Sequence, residues 1–90
     1  MFEWDEAKRR ANLKKHGVDF ADLEEFDWDG AVVWTDDTEN YGEERFKALA
    51  VFRDRIHFVA FTMRGANTRI ISFRKAEKRE IRRYDKEKDV

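Results

Sequence analysis

Thr62–Tyr84, TMRGANTRIISFRKAEKREIRRY, is the stretch on which the reading of the fold turns. Apolar and polar residues alternate on both sides of Gly65-Ala66-Asn67, which predicts a strand, a tight turn and a second strand over Thr68–Lys75. From Ala76 to about Lys86 the pattern becomes helical, with Ile81 and Tyr84 as the only large apolar side chains. Such a helix docks through a narrow stripe. The stretch also carries eight of the nineteen Lys and Arg residues: Arg64, Arg69, Arg74, Lys75, Lys78, Arg79, Arg82 and Arg83.

Working upstream, Ile56–Arg64 and Arg45–Arg53 also alternate, the latter with Phe46, Ala48, Ala50 and Phe52 on one side. Asp54-Arg55 reads as the two-residue turn between them. Ala31–Thr35, AVVWT, is β-branched and aromatic and predicts another strand, followed by a polar loop over Asp36–Glu44. At the N-terminus Phe2-Glu3-Trp4 predicts a short first strand. Asp5 then caps a helix that Gly17 stops, with Lys14, Lys15 and His16 in its last turn. Asp19 caps a second helix of roughly ten residues, with Phe20, Leu23, Phe26 and Trp28 along one face. The order is strand, two helices, four strands, helix. It predicts one α+β domain over residues 1–90, an antiparallel sheet with the helices on one face.

The predicted turns set a register. Arg53 then faces Ile56 and Arg45 faces Arg64, while Arg64 faces Thr68, Thr62 faces Ile70 and Ala60 faces Ser72. One face shows His57, Val59, Phe61, Met63, Ile71 and Phe73 and should meet the helices. The other shows Lys47, Leu49, Val51, Phe58, Ala60, Thr62, Arg64, Thr68, Ile70, Ser72 and Arg74, a mixed surface rimmed with cations. Arg64 and Arg74 lie at opposite ends of it, roughly 20 Å apart at about 3.3 Å per residue.

The formal net charge of −1 hides a division along the chain. Residues 1–45 hold 14 acidic and 6 basic side chains, and residues 46–90 hold 6 acidic and 13 basic. Asp19–Glu44 contains eleven acidic residues and no Lys or Arg. A basic surface for a polyanion and a separate acidic surface are expected. Without Cys, disulfides and thiolate metal sites are excluded. The two His residues and the scattered carboxylates show no ligand spacing, so neither metal nor other cofactor is expected. No apolar run approaches the roughly 20 residues of a membrane span, and MFEWDEAKRR is too charged for a signal peptide. The expected compartment is the cytoplasm.

Several ordered strings carry a family likeness. They are Phe2-Glu3-Trp4-Asp5; Asn12-Leu13 with Lys15-His16-Gly17-Val18 and Phe20; Gly42-Glu43-Glu44-Arg45-Phe46; Thr62-Met63-Arg64; Arg69-Ile70-Ile71-Ser72 with Arg74 and Ala76; and Glu80 with Tyr84. From Phe2 to about Asp85 the chain resembles the BrnT toxins. The resemblance implies a RelE-like fold and a type II toxin that cleaves RNA and stops translation. It also implies a small DNA-binding, BrnA-like antitoxin that dimerises, giving a two-plus-two heterotetramer, and RNA that is free or ribosome-associated. The chain departs from the basic character expected of the family through its acidic Asp19–Glu44 segment.

RNA cleavage without a metal needs a base for the 2′-hydroxyl, an acid for the leaving 5′-oxygen and cations for the phosphate. Arg suits only the last role, because it stays charged and its planar fork matches phosphate oxygens. Arg64 is the first candidate for that role, then Arg74 and Lys75 at the strand-to-helix junction. His16 has the pKa of an acid or base, although its position also suits a helix cap. Tyr84 is a candidate proton donor or stacking group, although it could equally pack with Ile81. Arg45, Lys47, Arg69, Lys78 and Arg79 are candidate RNA contacts. His57 and the three Trp residues are read as structural, and Glu80 as a helix ion pair or a partner that orients an Arg. A non-catalytic RNA-binding or antitoxin-binding module is the competing reading.

Overall fold

The computed structural model describes residues 1–89. In chain order it contains β1 (Phe2–Glu3), α1 (Glu6–His16), a 3-10 turn (Phe20–Glu25), β2 (Val32–Thr35), β3 (Arg45–Phe52), β4 (Arg55–Arg64), β5 (Asn67–Lys75) and α2 (Lys78–Lys88). It is a mixed α+β structure around a five-stranded sheet of order β1-β5-β4-β3-β2. β2 to β5 pair antiparallel, but β1 pairs parallel with β5 through Phe2↔Thr68 and Glu3↔Arg69, so the sheet is mixed.

The helix ends follow the local chemistry. The Asp5 carboxylate accepts from the Ala7 and Lys8 amides at 2.9 and 3.2 Å, which satisfies two of the free N–H groups at the start of α1. Gly17 ends α1 with φ 74 and donates to the Leu13 carbonyl at 2.8 Å. Asp19 does cap the next element, but that element is a six-residue 3-10 turn and not a ten-residue helix. Phe26 leaves it early to bridge to Phe52, and Asp27 N–H donates to the Val51 carbonyl at 2.9 Å. Pairing with the end of β3 therefore outcompetes further helix there.

Phe20, Leu23 and Phe26 pack on Ala48, Ala50, Phe52, Val59, Phe61, Ile70 and Phe73 as one buried cluster. Trp4 and Trp28 pack against its rim, and Trp28 Nε1–H donates to the Leu23 carbonyl at 2.8 Å. Beyond β1, α1 covers the edge of β5. There Asn12 acts as a one-residue strand: its Nδ2 donates to the Phe73 carbonyl at 2.7 Å and to the Val18 carbonyl at 3.3 Å, while its Oδ1 accepts from Phe73 N–H at 3.2 Å.

Three expectations about the sheet need correction. The β3–β4 turn is Arg53-Asp54, with Arg53 at φ 59, so Phe52 faces Arg55 and Arg45 faces Thr62 rather than Arg64. The β4–β5 turn is Gly65-Ala66, so Arg64 faces Asn67. A register shift after Ala60 then restores Ala60↔Ser72 and moves Ile70 into the core opposite Phe61. Lastly, the helices do not share one face. Arg83 of α2 lies over the Trp34 ring, and Glu80 of α2 binds Arg74. Trp34 pairs with Lys47 and so projects with Lys47, Ala60, Ser72 and Arg74, away from the core. α2 thus crosses the cationic face, above the buried Leu49 and Phe58 that this face also carries.

Candidate functional site

Strand alternation places cations in successive rows on the face that α2 crosses. Arg45, Thr62 and Arg69 form one row; Lys47, Ala60 and Ser72 the next; Leu49, Phe58 and Arg74 the third. Rows are two residues apart, about 6.6–6.8 Å. Arg64 stands one row beyond Arg45, so about 20 Å still separates Arg64 from Arg74.

At the hairpin end every cation has a nearby carboxylate. Glu43 lies 3.4 Å from Arg45 and 3.7 Å from Arg64, and Glu3 lies 2.9 Å from Arg69. The Arg45 guanidinium also sits 3.9 Å from the Tyr41 ring centroid. These contacts are exposed or half-exposed, so an incoming phosphate can displace them at little cost.

Under α2 the arrangement is tighter. A cleft of about 400 Å³ is lined by Trp34, Thr38, Lys47, Arg79, Glu80 and Arg83. Glu80 is held in place by its partners, with only 12% of its side chain exposed. It accepts a two-pronged bond from Arg74 at 2.8 and 3.1 Å and another from the Glu77 N–H at 2.8 Å. Burial alone would raise its pKa, but the bonds from Arg74 and Glu77 outweigh burial and keep it below the ordinary glutamate value. Glu80 is therefore an anion that aims Arg74 and not a proton acceptor in waiting. Arg74 also lies 4.0 Å from the Phe58 ring centroid, so its plane is fixed from below as well. Asp36 accepts from Thr38 and Tyr41 and lies 3.8 Å from Lys47, which ties the 36–44 loop to the cleft. Those hydrogen bonds, Thr38's first, lower the Asp36 pKa.

His16 reaches this region from α1. It is half-buried and lines a shallow hollow with Asn12, Lys15, Ile71 and Ser72. Burial lowers its pKa most, followed by the positive charges of Lys15 and Arg74. That direction favours the uncharged imidazole at the end of α1. His57, by contrast, is buried against Phe52 and Phe73 with its Nδ1 3.0 Å from the Arg55 carbonyl, as a structural residue should be.

The structure thus brings Lys47 and Arg79 to one cleft with the Glu80 that binds Arg74, sets His16 in a separate hollow beside Ser72, and leaves Arg64, Arg45 and Arg69 along an approach to the cleft. Lys75 does not join them. It pairs with His57, so alternation sends it to the opposite face, and its expected role beside Arg74 is corrected. Tyr84 is half-buried, four residues after Glu80 on the sheet-facing side of α2, with Lys88 Nζ 5.9 Å from its ring centroid. Lys78 is exposed in the first turn of α2, and Arg79 is 79% exposed there with Glu77 3.5 Å away. The sequence reading missed Arg83 and Trp34. The sequence reads Trp34 as structural, yet its ring carries the Arg83 guanidinium at 3.9 Å. Alternation in VVWT could have placed Trp34 beside Lys47, but nothing local said that α2 would cross it. Among the described residues no three His, Asp or Glu side chains are grouped to hold a metal ion.

The model for the family described as "Ribonuclease toxin, BrnT, of type II toxin-antitoxin system" matches residues 4–80. No curated protein matches the chain.

Proposed function

The chain belongs to the BrnT family of type II toxin–antitoxin ribonuclease toxins, and from that premise we propose that its RNA runs along the cationic sheet face and is cut beside Arg74 without a metal. The observation that carries this reading is the run of cationic rows on one face, ending at an Arg74 fork fixed by Glu80 and Phe58. In the proposed reaction the neutral His16 imidazole takes the 2′-hydroxyl proton. The 2′-oxygen attacks phosphorus, and the P–O5′ bond breaks to leave a 2′,3′-cyclic phosphate. Lys47, one row along and two strands across from Arg74 on the same face, donates a proton to the leaving 5′-oxygen. Arg74 stabilises the charge that gathers on the phosphoryl oxygens, where a preorganised donor is most effective. Arg45, Arg64 and Arg69 hold upstream or downstream phosphates, and Lys78, Arg79 and Arg83 frame the cleft. Trp34 and Arg83 present a flat stack for a base. Tyr84 supports the sheet side of α2 and has no direct part in the chemistry.

Around this activity we place a RelE-like toxin acting in the cytoplasm on translated or ribosome-bound RNA. A BrnA-like antitoxin would neutralise it in a two-plus-two assembly. The test is a purified chain incubated with single-stranded RNA in excess EDTA. Wild type should cut, and Arg74→Ala should cut on the order of 10²–10³-fold more slowly, the usual cost of losing one transition-state donor. Arg64→Ala should chiefly weaken binding. RNA left equally intact by wild type and Arg74→Ala, with binding preserved, would establish the non-catalytic module instead.

A further inference from the structure

Among the described residues the sheet ends in the two-residue β1 on one side and the four-residue β2 on the other, and β2 is the longer edge. β2 pairs with β3 on one side, and no strand follows it on the other. The hydrogen-bond phase tells which groups are free. Asp36 N–H donates to the Arg45 carbonyl at 2.8 Å, so the alternation of an antiparallel ladder turns Trp34 and Val32 towards β3 as well. Val33 and Thr35 therefore direct their N–H and C=O groups outward. Both side chains are exposed, Val33 at 49%. Exposed edges of this kind are templates for another strand.

The surroundings select what can add there. Asp27 and Asp29 precede β2, and Asp36, Asp37 and Glu39 follow it. Asp29, Asp37 and Glu39 have no ion-pair partner among the described residues, and Lys88, the cation that reaches this end, is engaged on the Gly30 carbonyl at 3.0 Å. A second copy adding antiparallel would set the Asp29 end of one β2 against the Asp37 end of the other. Like charges so placed disfavour that pairing.

We propose that the β2 edge is the docking site for an extended, basic segment of the antitoxin. That segment adds as a sixth strand, with Lys or Arg at both ends and a β-branched or apolar residue beside Val33. The proposal rests on the toxin–antitoxin reading but not on where RNA is cut. It also gives a role to part of the acidic Asp19–Glu44 segment. Asp22 and Glu25 are occupied by Arg53, at 3.5 and 3.0 Å, whereas Asp29, Asp37 and Glu39 beside β2 have no ion-pair partner among the described residues.

The probe is an acetylated and amidated heptapeptide, Lys-Lys-Val-Thr-Val-Arg-Lys, titrated into the isotope-labelled chain at low salt. Amide shifts and slowed hydrogen exchange are expected at Val33 and Thr35. The same peptide N-methylated at its edge-facing amides should produce neither. Val33→Pro removes one outward N–H without touching the β2–β3 ladder, because that N–H is not used there. It should weaken the peptide about fivefold, the share of one net backbone hydrogen bond, while cleaving RNA like wild type. Asp29→Lys with Asp37→Lys leaves the backbone alone and should weaken the peptide with loss of the salt dependence. Shifts confined to other residues, or equal binding of the N-methylated peptide, overturn the proposal. So do edge shifts that grow with chain concentration in the absence of peptide, since they assign the edge to a second copy. The RNA assay stands apart: a negative titration with cleavage intact removes only the edge proposal, and inactive wild type removes only the ribonuclease mechanism.

Discussion

Asn12→Ala tests how α1 is fastened to the sheet. In the native chain the Asn12 amide closes the open side of Phe73 with two hydrogen bonds and holds Val18 with a third, at 2.7, 3.2 and 3.3 Å. Each such bond contributes about 1 kcal/mol net, and a buried backbone group left without a partner costs about 1–3 kcal/mol. Phe73 is fully buried, so water cannot replace the lost amide at its N–H and C=O without opening the α1–β5 contact. The expected loss is about 3 kcal/mol. That is a large part of the 5–15 kcal/mol typical of such domains, and it corresponds to about 12–24 °C in Tm at this size. Asn12→Asp sharpens the test. At neutral pH its carboxylate faces the Phe73 and Val18 carbonyls with no donor to offer, so the fold should favour the protonated acid. The aspartate pKa would then be raised in the folded state. The variant's deficit should be greatest at pH 7 and shrink as pH falls towards 4, where an O–H can again donate. Thermal and urea unfolding followed by circular dichroism measure both effects, with exposed Lys14→Ala as control. If Asn12→Ala lies within 1 kcal/mol of that control, or Asn12→Asp shows no pH dependence beyond wild type, the clamp is not what joins α1 to β5.

Two further outcomes are expected. Glu80→Ala removes the carboxylate that aims a largely buried Arg74, at 12% and 22% side-chain exposure, and should cost about 2 kcal/mol of stability while slowing RNA cleavage; unchanged stability and unchanged rate together would show that Arg74 needs no such partner. For His57, burial lowers the pKa first, against the bond to the Arg55 carbonyl, with Lys75 adding to the lowering. Above about pH 6.5 neither state binds the proton; below it the unfolded chain binds first, so stability falls as pH drops from about 6.5 towards the lowered folded value. His57→Phe should flatten that part of the stability profile, and an unaltered slope between pH 6.5 and 5 would contradict the assignment.

Much of this molecule was determined by the sequence alone, because the deciding interactions are local. Asp5 and Gly17 bound α1 through hydrogen bonds that span only a few residues. Alternation in Arg45–Phe52 and Arg55–Arg64 gives strands whose core-facing Ala48, Ala50, Val59 and Phe61 are buried. The motifs from Phe2 to Tyr84 resemble those of the BrnT toxins, and the match over residues 4–80 agrees.

Only the tertiary structure decided the rest. Arg53 adopts φ 59 and sets a turn that no Gly announced, because the pairing of eight-residue and ten-residue strands outweighs the preference of one residue. The register shift after Ala60 buries Ile70 and so turns Arg69 towards Glu3 of β1, a residue 66 positions away. α2 has too narrow an apolar stripe to declare a side. It settles on the cationic face because Glu80 finds Arg74 there, Arg83 finds Trp34 and Lys88 finds the Gly30 carbonyl. Those partners are 6, 49 and 58 residues distant in sequence, so the cleft beneath α2 exists only once the sheet has closed.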